Sequence, residues 1–221
     1  MPYLPTNRSN VPIRLFKSDV LEALTHVHPA VVPVIWLPVA AYFLSRPIVT
    51  RALGGVEVAL AVVVGLALWT FAEYTIHRFV FHFEPRNPSP LVERVIFLFH
   101  GVHHVQPHCR TRLVMPPAAS VPIAALSYGL LVVFAGGVLG ASDWVAPIFA
   151  AYVAGYVLYD MTHYATHHWP MHGRALKALK RQHMLHHYKT PNARFGVTSP
   201  IWDVVFGTLP EYAPSARAAV H

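Results

Sequence analysis

Long apolar runs, broken by short polar clusters, organise this chain. Four runs stand out, over residues 30–44, 56–76, 118–139 and 144–161. A membrane-crossing helix needs about 20 residues, with a lower bound near 17. The second and third runs meet this comfortably. The first is short and contains Pro33 and Pro38, so the pattern predicts a kinked span or one that begins earlier. The fourth carries no charge until Asp160. A fifth patch, 95–99, is too short to cross and predicts a helix at the interface or packed under the bundle.

Four spans put both ends of the chain on one side. The connections at 45–55 and 140–143 are short, whereas 77–117 and 162–221 are long. Only Arg46 and Arg51 lie on the short-loop side; the other fifteen of the seventeen basic residues lie with the long segments. The excess of Lys and Arg marks the cytoplasmic side, so the long segments are expected there. The first 29 residues are polar and mixed, with no continuous apolar core of the kind a cleaved leader needs.

Composition supports a bilayer. The 221 residues are 54% hydrophobic and 12% charged, against about 25% charged in soluble domains. The net charge of +7 therefore suits anionic lipid headgroups and not nucleic acid. The single cysteine, Cys109, excludes an intramolecular disulfide and a cysteine-built zinc site.

Ten of the sixteen histidines fall in four clusters at the edges of the apolar runs. They are His77 with His82, His100 with His103 and His104, His163 with His167, and His183 with His186 and His187. Neutral imidazole is the commonest side-chain metal ligand. One ion takes roughly four to six ligands, so ten are enough for two. At offsets of three and four, each of the last three clusters shares a helix face. His77 and His82 are five apart, about 140° around an ideal helix, and converge only if the helix ends or distorts between them. Glu73 and Asp160 lie one turn before histidines and are candidate partners for the distal ring N–H. His108 and His168 are candidates for the same outer layer. His26, His28, His172 and His221 stand apart from every cluster.

At these residues the chain resembles the fatty acid hydroxylase superfamily of membrane di-metal enzymes. Within it, His100-Gly-Val-His-His104, Arg112-Leu-Val-Met-Pro-Pro117, Tyr159-Asp-Met-Thr-His-Tyr164 and Phe195-Gly-Val-Thr-Ser-Pro-Ile-Trp202 are similar to the fatty acid 2-hydroxylase branch. Arg14-Leu-Phe-Lys-Ser-Asp-Val-Leu-Glu22 is similar as well. The resemblance implies the ten clustered histidines as ligands of a di-iron centre that activates O₂. Imidazole also suits zinc and copper, so zinc could occupy the site in purified protein, though it would support no oxygenation. Family members often carry Met-Asp where His108-Cys109 stands here, which bears on the headgroup. Many also carry a fused cytochrome b5 domain. No His-Pro-Gly-Gly haem motif is present, so electrons are expected from a separate cytochrome b5- or ferredoxin-like protein.

These readings together predict an all-α membrane protein: four transmembrane helices under a cytosolic helical cap that holds a histidine-rich dinuclear metal site. Residues 1–29 form a cytosolic or interfacial segment, 30–210 the integral-membrane domain, and 211–221 a disordered tail. The membrane is the endoplasmic reticulum in a eukaryote or the inner membrane in a bacterium. Cap residues Arg112, Tyr164, Trp169, Tyr188, Lys189 and Trp202 are candidates to read a polar head, and 195–208 is expected to close the cap. The expected activity is hydroxylation of a lipid acyl chain at carbon 2. A sterol or carotenoid oxidase or desaturase is the alternative. A metal transporter fits poorly, because it places ionisable ligands near the bilayer midplane and the middles of all four runs carry none.

Overall fold

The computed structural model describes residues 11–210. The expected tail and His221 lie outside these residues, as do the first ten positions of the N-terminal segment. Every regular element among the described residues is helical. Four helical stretches are long and apolar enough to span a bilayer: Val31–Thr50, Gly55–Phe81, Pro117–Val138 and Ser142–His168.

A short helix, α1 (Asp19–Ala23), precedes the first span, α2 (Val31–Thr50). Pro33 sits in the first turn of α2, where its missing N–H has no partner to lose, and Pro38 and Pro47 are carried inside. The helix stops at Arg51, which adopts the left-handed conformation with φ 54°. Thus α2 outlasts the expected limit at residue 44 by one and a half turns.

Next comes α3 (Gly55–Ile76), which continues into a π-helical turn over His77–Phe81. There the N–H of His82 donates to the carbonyl of His77 at 3.1 Å. An i→i+5 bond brings two residues five apart onto one face, so this turn is the distortion that the His77–His82 spacing required. A second run joins α4 (Pro90–Ile96), a π-helical turn over Phe97–Gly101 and α5 (Val102–Val105). It absorbs the short apolar patch at 95–99.

The third span is α6 (Pro117–Leu131) with its π-helical end. The fourth is α7 (Ser142–His168), which runs seven residues past the expected end at 161. Asp160 does not end it, because its carboxylate accepts from the N–H of Met115 at 3.0 Å and from Tyr156 Oη at 3.1 Å. The helix therefore carries His163 and His167 on its last turns. Beyond it, α8 (Arg174–Tyr188) and α9 (Ile201–Val205) complete the cap.

α7 is the hub. Of its apolar stretch 72% is buried, against 6–22% for the other spans. Its Phe149, Tyr152 and Tyr156 meet Trp36, Phe43 and Trp69 edge to face, and Tyr159 packs on Trp69 at a tilt. α3 and α7 approach closely because Gly65 and Gly155 lie at the contact. A Cβ on Gly155 would sit 2.6 Å from Trp69 Cγ, and one on Gly65 would sit 2.3 Å from the Ile148 carbonyl oxygen. Small residues at helix contacts are how spans associate where lipid supplies no hydrophobic drive. By contrast, α6 shows Leu126, Leu130 and Val133 outward, as a lipid-facing helix does.

Candidate metal centre

The ten clustered histidines converge into two groups of five. His77, His82, His100, His104 and His186 form one; His103, His163, His167, His183 and His187 form the other. Within each, one ring nitrogen per residue lies within 4.8 Å of the rest.

Helix geometry explains the sorting. Residues four apart on an α-helix share a face, whereas neighbours point about 100° apart. His100 and His104 therefore join one group while His103 turns to the other. Likewise His183 and His187 pair in one group while His186 turns away. His163 and His167 pair through four residues, and His77 and His82 pair through the π-helical turn. Each group is thus two pairs and a single ring, so the face that the spacing gave to each triplet is divided between the groups.

The distances suit a metal. His77 and His100 Nε2 are 3.1 Å apart, and His100 and His104 Nε2 are 2.9 Å apart. In the second group His103 Nε2 lies 3.0 Å from both His163 and His187 Nε2, and His167 lies 2.8 Å from His183. With metal–imidazole bonds of about 2.1 Å, ligands at right angles are about 3.0 Å apart and opposed ligands about 4.2 Å. Hydrogen bonding alone does not account for the set. Nδ1 of His77 lies 2.6 Å from the Phe195 carbonyl, and Nδ1 of His186 lies 2.8 Å from that of Ala193. A carbonyl only accepts, so both Nδ1 atoms carry the proton and both Nε2 atoms present a lone pair. His186 Nε2 is buried with no partner, and so are both ring nitrogens of His82. Buried lone pairs left bare in this way fit a cation between them.

Burial also keeps the rings neutral, the form that binds metal. Burial, followed by repulsion from His77, lowers His104 to about 3. Burial and neighbouring imidazoles push His82, His100, His103, His183, His186 and His187 well below the ordinary histidine range.

The outer layer differs from the one the spacing suggested. Glu73 does not bond an imidazole. Its carboxylate accepts from the N–H of Val197 at 2.6 Å, the N–H of Thr198 at 2.8 Å and the Thr198 hydroxyl. Asp160 is spent on Met115 and Tyr156. His108 is exposed, and His168 packs against Tyr164 with its Nε2 unpartnered. Backbone carbonyls orient the rings in their place. They belong to residues 193–208, which fold over the first group. Asp203 accepts from the amides of Phe195 and Gly196 at 2.8 and 2.7 Å. Only glycine fits at 196, since a Cβ there would lie 2.1 Å from the Ser199 carbonyl oxygen. Trp202 Nε1 donates to Thr70 Oγ1 at 3.1 Å, anchoring α9 on α3.

A cleft of about 230 Å³ opens against His100, His103 and His163, and so reaches both groups. Phe81, Leu98, Val114, Met115 and Tyr159 make most of its wall apolar. Through Phe81, Met115 and Tyr159 it adjoins an aromatic seam inside the bundle lined by Trp36, Trp69 and Tyr152. Of the expected head-reading residues, Arg112 lines the cleft, Tyr164 is buried, and Trp169 and Lys189 face outward. Spacing gave no sign of Glu22 and His26, which both reach Arg112 from the segment before α2.

Four helices long and apolar enough to span a membrane thus gather ten histidines into two adjoining sets, each of which could hold a metal ion. The fatty acid hydroxylase family matches residues 62–208, and the chain belongs to that family. It is 38% identical to a dihydroceramide fatty acyl 2-hydroxylase of Arabidopsis thaliana, over 89% of this chain and 80% of the plant protein. To the human fatty acid 2-hydroxylase it is 35% identical, over 93% of this chain and 59% of the human protein. The solved hydroxylase domain of full-length scs7p superposes with a TM-score of 0.80 at 38% identity, over 90% of this chain and 72% of that one.

Proposed function

We propose that this chain is a membrane-bound, O₂-dependent di-iron monooxygenase that hydroxylates a lipid acyl chain at carbon 2. The observation that carries this reading is the sorting of ten buried imidazoles into two groups of five beside one apolar cleft. The 2-hydroxylases among its relatives support the position oxidised.

The residues divide the work. His77, His82, His100, His104 and His186 would hold one ion, and His103, His163, His167, His183 and His187 the other. Iron bound there supplies the activation of O₂ that an unactivated C–H bond requires. The Phe195 and Ala193 carbonyls fix the tautomers of His77 and His186, and Glu73 fixes the loop that carries them. His168 and Asp160 support this layer from behind, by packing and by holding Met115 at the cleft, and exposed His108 lies outside it. Phe81, Val114, Met115 and Tyr159 exclude water and accept the first methylenes of the chain. Holding a substrate with its reacting carbon about 3–3.5 Å from the oxidant is what selects one position. The cleft has room for roughly seven or eight water-sized groups, so the tail leaves through the aromatic seam or between the spans.

The excess of basic residues in the long segments supports a cytoplasmic cap, within reach of a separate electron-transfer protein. Mass spectrometry of lipids from cells with and without the expressed chain tests the reading. A gain of one oxygen, mapped by fragmentation to carbon 2, is expected. A hydroxyl in mid-chain, a new double bond or an oxidised sterol or carotenoid would contradict it.

A further inference from the structure

The cleft has one basic side chain other than histidine in its wall, Arg112, and that residue is already half committed. Its guanidinium donates to the Glu22 carboxylate, to the Ile13 carbonyl and to His26 Nε2, the last at 2.9 Å. Its Nε is buried with no partner. The Arg112 side chain is 3% exposed and that of Glu22 is 15% exposed, so the ion pair sits largely out of water. Glu22 also accepts from the amides of Leu15 and Phe16, both at 2.9 Å. Leu15 and Phe16 line the cleft.

We propose that Arg112 and Glu22 together set the charge of the polar head that this enzyme accepts, selecting a neutral acyl amide over an acyl carboxylate. This rests on the acyl-lipid reading above. A guanidinium alone in the cleft would bind a carboxylate, often through two parallel hydrogen bonds. Glu22 cancels that charge and occupies part of the fork. An anionic head would then lose its hydration with no net positive charge from this pair in return. A neutral carbonyl or hydroxyl needs only a donor, and Arg112 Nε is a buried donor that lacks an acceptor. Glu22 stands behind the wall, and Asp160, the carboxylate within it, adds no positive charge. Glu22 remains ionised in this position. Burial raises its pKa, but the Phe16 and Leu15 amides and Arg112 outweigh that and leave it below the usual carboxylate value.

Purified full-length protein in detergent is titrated with two probes of equal chain length, an N-acyl sphingoid base and a free fatty acid, at a pH where the acid is ionised. The wild type should favour the amide. Glu22→Gln keeps an acceptor oxygen for the Leu15 and Phe16 amides and removes the charge. It should shift the ratio of the two affinities toward the acid by about tenfold, the worth of one charge-assisted hydrogen bond. Attraction of the acid to bound metal is common to both proteins and cancels in this ratio. Arg112→Gln, read independently, should weaken amide binding by about tenfold without any gain for the acid. Melting temperature and metal content report folding. An unchanged ratio in folded Glu22→Gln protein, or unchanged amide binding in folded Arg112→Gln protein, would overturn the proposal. A shifted ratio in a chain that oxygenates no acyl lipid would defeat the functional reading and leave this one standing.

Discussion

The carboxylate of Glu73 accepts a hydrogen bond from the backbone N–H of Val197 at 2.6 Å, across 124 positions of sequence. The bond ties α3, one turn before His77, to the loop whose Phe195 carbonyl orients that same histidine. Glu73 thus acts on the metal centre through backbone, without touching an imidazole. Glu73→Ala should leave buried amides of Val197 and Thr198 without an acceptor, at about 1–3 kcal/mol each, and should lower metal content. Glu73→Gln retains an acceptor oxygen and should keep most of both. Thermal unfolding in detergent with metal analysis checks the pair; equal behaviour of the two variants would remove Glu73 from this role.

Single imidazole removals should act on one group at a time. His82→Ala and His163→Ala should each lose about one ion and retain the other, with activity falling by more than the ~100-fold typical of an outer partner. His172→Ala, exposed and outside both groups, should behave as wild type. Metal counts on the three purified variants decide this, and loss of both ions from either ligand variant would mean the groups are not separate sites.

Close approach of α3 and α7 should make Gly155 intolerant of a methyl group. Gly155→Ala drives a Cβ into Trp69, and overpacking of this kind costs about 1–3 kcal/mol. Gly129→Ala on α6 meets nothing within 4 Å and, since Ala is the better helix former, should not lower the melting temperature. A silent Gly155→Ala would show that the two helices can separate freely.

Acid should destabilise the metal-free protein through the same rings. Burial holds the folded His104 ring down at about 3, against about 6.5 for an exposed imidazole. Above 6.5 neither state takes up protons at this residue, so its contribution is flat. As pH falls below 6.5 the unfolded chain binds protons that the folded chain refuses, and stability drops until the folded ring titrates near 3. The other buried rings act in the same direction. Chemical denaturation of the chelated protein across this window should show falling stability, and a flat profile would contradict burial of the cluster.

Much of this was legible along the chain, because apolar runs and i,i+4 histidines are local signals. The third span ends within a residue of its expected limits at both ends. What escaped was set by contacts distant in sequence. Asp160 reads as a candidate partner for an imidazole until the Met115 amide, 45 positions away, is seen bonded to it. The π-helical turn at His77 has no periodicity of its own, so the spacing of five showed only that the helix must end or distort there, and not which of the two it does. Division of His103 from His104, and of His186 from His187, follows from helical geometry once both groups are in place, but no single motif reveals it. Glu22 and His26 meet Arg112 across about ninety positions, and only the resemblance of 14–22 to the 2-hydroxylase branch hinted that this segment matters.

The two groups of five histidines should together hold two irons. Elemental analysis of purified, folded protein, expressed with ample iron and quantified by amino-acid analysis, tests it most directly. Two irons per chain are expected, lost together with hydroxylation on chelation and both restored by iron but not by zinc. One metal ion or none per folded, active chain would contradict it.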